Sequence, residues 1–220
     1  MLHIMIWISL KTYKEATGDD AIKLLRIVKK VMDDTGVKII PCVQPTDIYR
    51  AVQEVGIEVW AQHVDPIDPG RHFGWLSPYS AKQAGATGTV INHDEHAMQY
   101  ENIKQTIEKA KEYDLKTLVI CDTVDLGNRV TVWDPDYIAY EKGDLIAGSV
   151  AMVDQEAESI KELVSLVKQP LIVGAGITTG EHAKKSVKLG AKGVILASAV
   201  VKAEYPEAKL RELADAFKSQ

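Results

Sequence analysis

The feature that most restricts this chain is a repeated alternation rather than any single motif. A short run of β-branched and aliphatic residues is followed by glycine, proline or polar punctuation and then by a longer amphipathic run, and the cycle repeats to the end. Eight short runs are readable: Ile4 to Ser9, Val37 to Val43, Val59 to His63, Gly88 to Asn92, Thr117 to Cys121, Tyr137 to Tyr140, Leu171 to Gly174 and Gly193 to Ala197. Most are apolar almost throughout, which suits strands of a parallel sheet covered by helices on both faces.

Between these runs the period becomes helical. In DDAIKLLRIVKKVMDD, Ile22, Leu25, Val28 and Val31 recur on one side while Lys23, Lys29 and Lys30 face away; Thr17 or Asp19 can cap the start and Gly36 can end the helix. Further helices read from Asn102 to Tyr113, Glu156 to Lys168, His182 to Leu189 and Glu207 to Phe217, with a short, poorly periodic piece from Val124 to Val130. Eight cycles at about 27 residues each predict an α/β chain forming one lean (β/α)8 barrel over residues 1–220. A doubly wound open sheet reads the same locally, but the strand count favours the barrel, and Lys11-Thr12-Tyr13 stands where a glycine-rich dinucleotide turn would follow the first strand.

Composition narrows the function. The 26 basic and 31 acidic side chains are spread along the chain, so no basic stripe is available to track a nucleic acid. Cys42 and Cys121 lie in apolar runs and read as buried, reduced thiols, and the apolar N-terminus is too short to span a membrane and lacks the marks of a secretory leader. The expectation is a cytoplasmic protein with no membrane or nucleic acid partner.

In a (β/α)8 barrel the chemistry collects at the carboxyl ends of the strands. Three ends carry reactive groups: Lys11 after the first, Asn92-His93-Asp94-Glu95 after the fourth and Glu141 after the sixth. Each alone is an ordinary strand-end or loop residue. Together they offer a fixed cation, a proton donor to oxygen and a carboxylate base, the set needed to abstract a proton next to a carbonyl. The seventh and eighth ends, VGAGITTG and VILASAV, present small residues whose backbone N–H groups can approach a phosphate closely. His93 and His96 with Asp94 and Glu95 are weak evidence for a metal, since no third ligand is identifiable. Trp7, Trp60, Trp75 and Trp133 read as core or interface anchors, because no basic residues interleave with them.

With these residues in view, the chain resembles the triosephosphate isomerase family, in its short archaeal form. The segments that carry the resemblance are LKTYKEATG from Leu10, QPTDIYR from Gln44, AQHVDP from Ala61, GATGTVINH from Gly85, DYIAYE from Asp136, DLIAG from Asp144, VGAGITTGE from Val173 and GVILAS from Gly193. The resemblance implies interconversion of dihydroxyacetone phosphate and glyceraldehyde 3-phosphate without a cofactor. Glu141 would be the base, His93 the neutral electrophile and Lys11 the cation that binds substrate and offsets enediolate charge, roles for which this family is itself the standard worked case. The substrate would also meet Ser9, and its phosphate the backbone near Ala147, Gly176, Ile177, Ala197 and Ser198. A homodimer or homotetramer is implied, with Trp75 where the family makes subunit contacts.

The departures from the family pattern carry expectations of their own. Ser9 replaces an asparagine, and Asp94 replaces a serine, which would put a second carboxylate near Glu141 and raise its pKa or push it away. Lys142-Gly143 replaces proline after the base, so a more mobile lid hinge is expected. Ala147 and Ser149 replace lid glycines, and VAMVDQEAES from Val150 replaces the usual small and polar stretch. The rival reading is a catalytically impaired or silent barrel that keeps phosphate or partner binding.

Overall fold

Eight parallel strands close on themselves in chain order: β1 Met5–Ser9, β2 Lys38–Val43, β3 Trp60–Ala61, β4 Gly88–Ile91, β5 Lys116–Cys121, β6 Tyr137–Tyr140, β7 Leu171–Val173 and β8 Gly193–Leu196. Met5 of β1 pairs with Lys38 of β2 on one side and Gly193 of β8 on the other, which seals the ring. The computed structural model describes residues 4–146 and 150–217, so Ala147 and Ser149 lie outside the described residues.

Helices connect and jacket the strands: α1 Asp19–Thr35, α2 Pro45–Arg50, α3 Pro78–Gln83, α4 Tyr100–Glu112, α5 Val124–Val130, α6 Met152–Gln155, α7 Ala157–Leu166, α8 Gly180–Lys188, α9 Ser198–Val201 and α10 Pro206–Asp215. In α1 the buried stripe is Ala21, Ile22, Leu24, Leu25, Val28 and Val31, and Gly36 at φ +71° closes it by donating its N–H to the Met32 carbonyl. Its start differs from the expectation. No side chain caps it locally; Gly18 stands at the cap and donates its N–H to Asp47 Oδ2 of α2 at 3.1 Å, while the Thr17 hydroxyl donates to the Tyr13 carbonyl. Lys29 does not face away either, since its Nζ donates to the Val55 carbonyl at 2.9 Å. Local hydroxyl caps do start α3, α5 and α8, from Ser77, Thr123 and Thr179.

The strand alternation feeds two separate cores. Along β1, Met5 and Trp7 point into the lumen while Ile6 and Ile8 point out to the helices. The lumen core is built on Trp7, Trp60 and Tyr137, whose rings meet at centroid distances of 5.0 to 6.0 Å, with Ile40, Leu118, Ile172 and Ile195 around them. Gly88 on β4 faces the Trp60 ring so closely that any side chain there would overlap it, so one large residue is matched to one absent side chain. Trp7 and Trp60 are thus core anchors, whereas Trp75 is 58% exposed and Trp133 packs at the surface on Tyr100. Cys42 and Cys121 are free and buried, and burial pushes both thiols up.

The third strand is shorter than Val59 to His63. After Ala61 the side-chain amide of Gln62 donates to the Cys42 carbonyl at 3.1 Å and to the Lys11 carbonyl at 3.0 Å, joining the ends of the first three strands. The remaining strands begin and end within one residue of expectation. The helix expected from Glu156 to Lys168 is α7, ending at Leu166 before the turn into β7, and the short α6 precedes it unexpected.

Candidate active site

One cavity opens at the carboxyl ends of the strands. Its lining includes Ser9, Lys11, His93, Glu141, Gly176, Ile177, Ala197 and Ser198, which brings together every proposed site residue except Ala147. Residues 9 to 198 in sequence meet there because each follows a strand of the same ring.

Lys11 sits just past β1 at φ +48°, a left-handed conformation that costs a side-chain-bearing residue about 1 to 2 kcal/mol. Two neighbours hold it there. Gln62 Nε2 donates to its carbonyl, and its Nζ donates to Glu95 Oε1 at 2.6 Å, with the lysine side chain only 12% exposed. Gln62 has no role in the sequence reading, though it lies in the AQHVDP segment, and Glu95 figures there only beside His93 and in a weak metal cluster, because both bonds run between distant strand ends.

His93 follows Asn92, itself at φ +64° and stitched by its amide to the Ile120 carbonyl and the Met98 N–H. The Glu95 N–H donates to His93 Nδ1 at 3.0 Å. A ring nitrogen that accepts carries no proton, so this hydrogen bond assigns the proton of the neutral imidazole to Nε2, on the side of Glu141. Burial and then the Lys11 cation hold the His93 pKa below the ordinary histidine range, so it is neutral at pH 7. Its Nε2 lies 3.7 Å from Glu141 Oε2, too far for a hydrogen bond, and a neutral ring makes no ion pair. His96 turns elsewhere and stacks on His63 at 4.1 Å.

Glu141 leaves β6 with its N–H donating to the Cys121 carbonyl. Its side chain is almost fully buried, and Oε2 has no hydrogen-bond partner. The carboxyl is pushed up to about 7: burial is the main cause, Lys11 opposes it, and Glu95 and then Asp94 add smaller pushes. The expected influence of Asp94 is therefore real in direction but secondary to desolvation. A carboxylate with that pKa and a free oxygen 3.7 Å from a neutral imidazole is matched to taking a proton from carbon near pH 7.

The far side of the cavity is backbone. Gly176 at φ +71° packs beneath Val150, where a Cβ would lie 2.6 Å from the Val150 oxygen, and α9 begins at Ser198, leaving its first N–H groups without partners inside the helix. Beyond the base, Lys142 Nζ pairs with Glu156 Oε1 at 2.8 Å.

Comparison with known proteins follows the same line. The family profile described as triosephosphate isomerase matches residues 4–215. The chain is 37% identical over 214 residues to triosephosphate isomerase of Methanothermus fervidus, covering 95% of this chain and 96% of that protein. It is 37% identical over 215 residues to that of Methanocaldococcus jannaschii, covering 96% and 98%. The crystal structure of triosephosphate isomerase from Bartonella henselae superposes with a TM-score of 0.76 over 98% of this chain and 99% of that one, at 17% identity, a likeness of fold.

Proposed function

The chain belongs to the triosephosphate isomerase family and interconverts dihydroxyacetone phosphate and D-glyceraldehyde 3-phosphate; from that premise we propose that Glu141, His93 and Lys11 carry the reaction. Glu141, ionised, takes the proton from the carbon beside the ketone and becomes the neutral acid. The electron pair left on carbon forms the enediolate, whose oxygen receives a hydrogen bond from His93 Nε2–H while Lys11 offsets its charge. His93 Nε2 gives its proton to the former ketone oxygen and regains one from the neighbouring hydroxyl, Glu141 returns its proton to the former carbonyl carbon, and the aldehyde forms at the carbon that lost it. No cofactor is needed, because proton movement accounts for every bond made and broken.

The observation that carries this reading is the buried, partnerless Oε2 of Glu141 facing a histidine whose only proton is on the near nitrogen. The phosphate would rest on backbone N–H groups at Gly176, Ile177, Ala197 and Ser198, with Ala147 closing over it and Ser9 beside the enediolate. A homodimer or homotetramer is supported by Phe73, fully exposed, and by Trp75 and Tyr79 on the segment after β3. A cytoplasmic setting is supported by the two free thiols, and among the described residues no helix is long and apolar enough to cross a membrane.

The test is a coupled isomerase assay on the purified protein beside Glu141→Gln. Loss of about 10²- to 10⁴-fold in kcat with phosphate-analogue binding kept is the expected result. Full turnover in the variant would remove Glu141 as the base, and none in either protein would turn the reading to a silent phosphate-binding barrel.

A further inference from the structure

The turn after the base contains a close approach that the reaction above does not use. Gly143 opens the short 3-10 turn Gly143–Leu145, and a Cβ built on it would lie 2.5 Å from Asp94 Cγ and Oδ2 and 2.6 Å from Oδ1. No side chain fits there while Asp94 stays. Gly143 is not among the residues with positive φ, so it is glycine for space and not for conformation. The Asp94 carboxylate, from the turn after β4, is therefore seated on the bare backbone of the turn after β6.

Asp94 also lies on a defined side of Glu141. Glu141 borders two cavities, the barrel mouth and a second one behind it lined in part by Asn92, Asp94, Met98, Asp122 and Arg129; Asp94 borders only the second. A negative group behind the base repels its carboxylate toward the mouth, where Oε2 approaches His93.

We propose that Asp94 is a positioning residue for the isomerisation, seated by the missing side chain of Gly143, which directs the ionised Glu141 into the barrel mouth and fixes the start of the segment that follows it. This rests on Glu141 being the base. The groups facing Glu141 are Lys11 after β1, His93, Asp94 and Glu95 after β4, and Asp122 and Arg129 across the rear cavity. Of the β4 group, Asp94 is the one that can change without removing the electrophile or the partner of Lys11.

The experiment is a coupling cycle with a pH profile. Gly143→Ala is made in the native chain and in Asp94→Ala, which removes every atom that the new methyl group would overlap. The expected loss in kcat/KM is about tenfold in the native background and less than about twofold in Asp94→Ala. Asp94→Asn keeps the shape and deletes the charge. A negative charge beside Glu141 favours its protonated form, so the acidic limb of kcat/KM should move to lower pH, with kcat falling and KM held within about twofold. Equal losses from Gly143→Ala in both backgrounds, or an Asp94→Asn limb that superposes on the native one, overturns the proposal. If Gly143→Ala does not fold, the Asp94→Asn profile decides alone. Failure of the base assignment shows separately, as turnover surviving in Glu141→Gln.

Discussion

The two ends of the barrel lumen each bury one polar atom that finds no partner, and they do so to opposite effect. Among the described residues the two are Trp7 Nε1, at the amino-terminal end, and Glu141 Oε2, at the mouth. Trp7 is enclosed by Trp60 and Tyr137 in edge-to-face contacts, and its N–H is neutral at every working pH. Glu141 is enclosed by His93, Lys11 and the strand ends, and what its burial costs depends on whether it carries a proton. The lumen therefore separates a plug that supplies stability from a mouth that holds an unsatisfied acceptor for substrate.

The strongest way to break that separation is Trp60→Ala. The side chain is fully buried against Gly88, which can fill none of the space left behind, so a loss of about 3 to 5 kcal/mol is expected, read from the denaturant midpoint at constant m. Turnover per folded molecule should stay near native. A fall in kcat of the still-folded variant as large as the fall in stability would show plug and mouth to be one unit.

Glu141→Gln sharpens the contrast at the other end. The folded pKa of about 7 lies above the ordinary 4.5, so between those values the folded state binds more protons than the unfolded one and stability falls as pH rises. Glutamine has no such titration. The variant should match the native protein below about pH 4.5 and exceed it above pH 7, by on the order of 3 kcal/mol. A pH-independent difference in urea midpoints would mean that burial does not raise this carboxyl.

The plug and the mouth also differed in how far they could be read from sequence. The eight strands and the convergence of Lys11, His93 and Glu141 were legible because each strand end is marked locally, by an apolar run stopping at a polar residue. What holds those residues was not. Gln62 on the Lys11 carbonyl, Glu95 on Lys11 Nζ and Asp47 on the Gly18 N–H join residues 29 to 84 positions apart, and pairings at that range depend on which turns the closed ring brings together. Gly143 reads as a source of backbone freedom, and what the sequence does not show is that a Cβ there would overlap a carboxylate 49 positions earlier. A sequence states that a residue is small and not what stands beside it.

The smallest effect is expected from Trp7→Phe, which is also the most exacting test of the comparison. The exchange removes the one buried donor of the plug that has no partner, relieving a penalty of roughly 1 to 3 kcal/mol. It also trades an indole for a smaller ring inside a close-packed cluster, and the lost contacts and residual space cost about as much. The two terms oppose, so the net change should stay within about 1 kcal/mol and, unlike that of Glu141→Gln, should not vary with pH. A destabilisation well beyond about 2 kcal/mol would mean that Nε1–H is satisfied after all, by the π faces of Trp60 and Tyr137. The mouth would then hold the lumen's single unsatisfied group among the described residues, and burial without a partner would be a property of the reactive carboxylate alone.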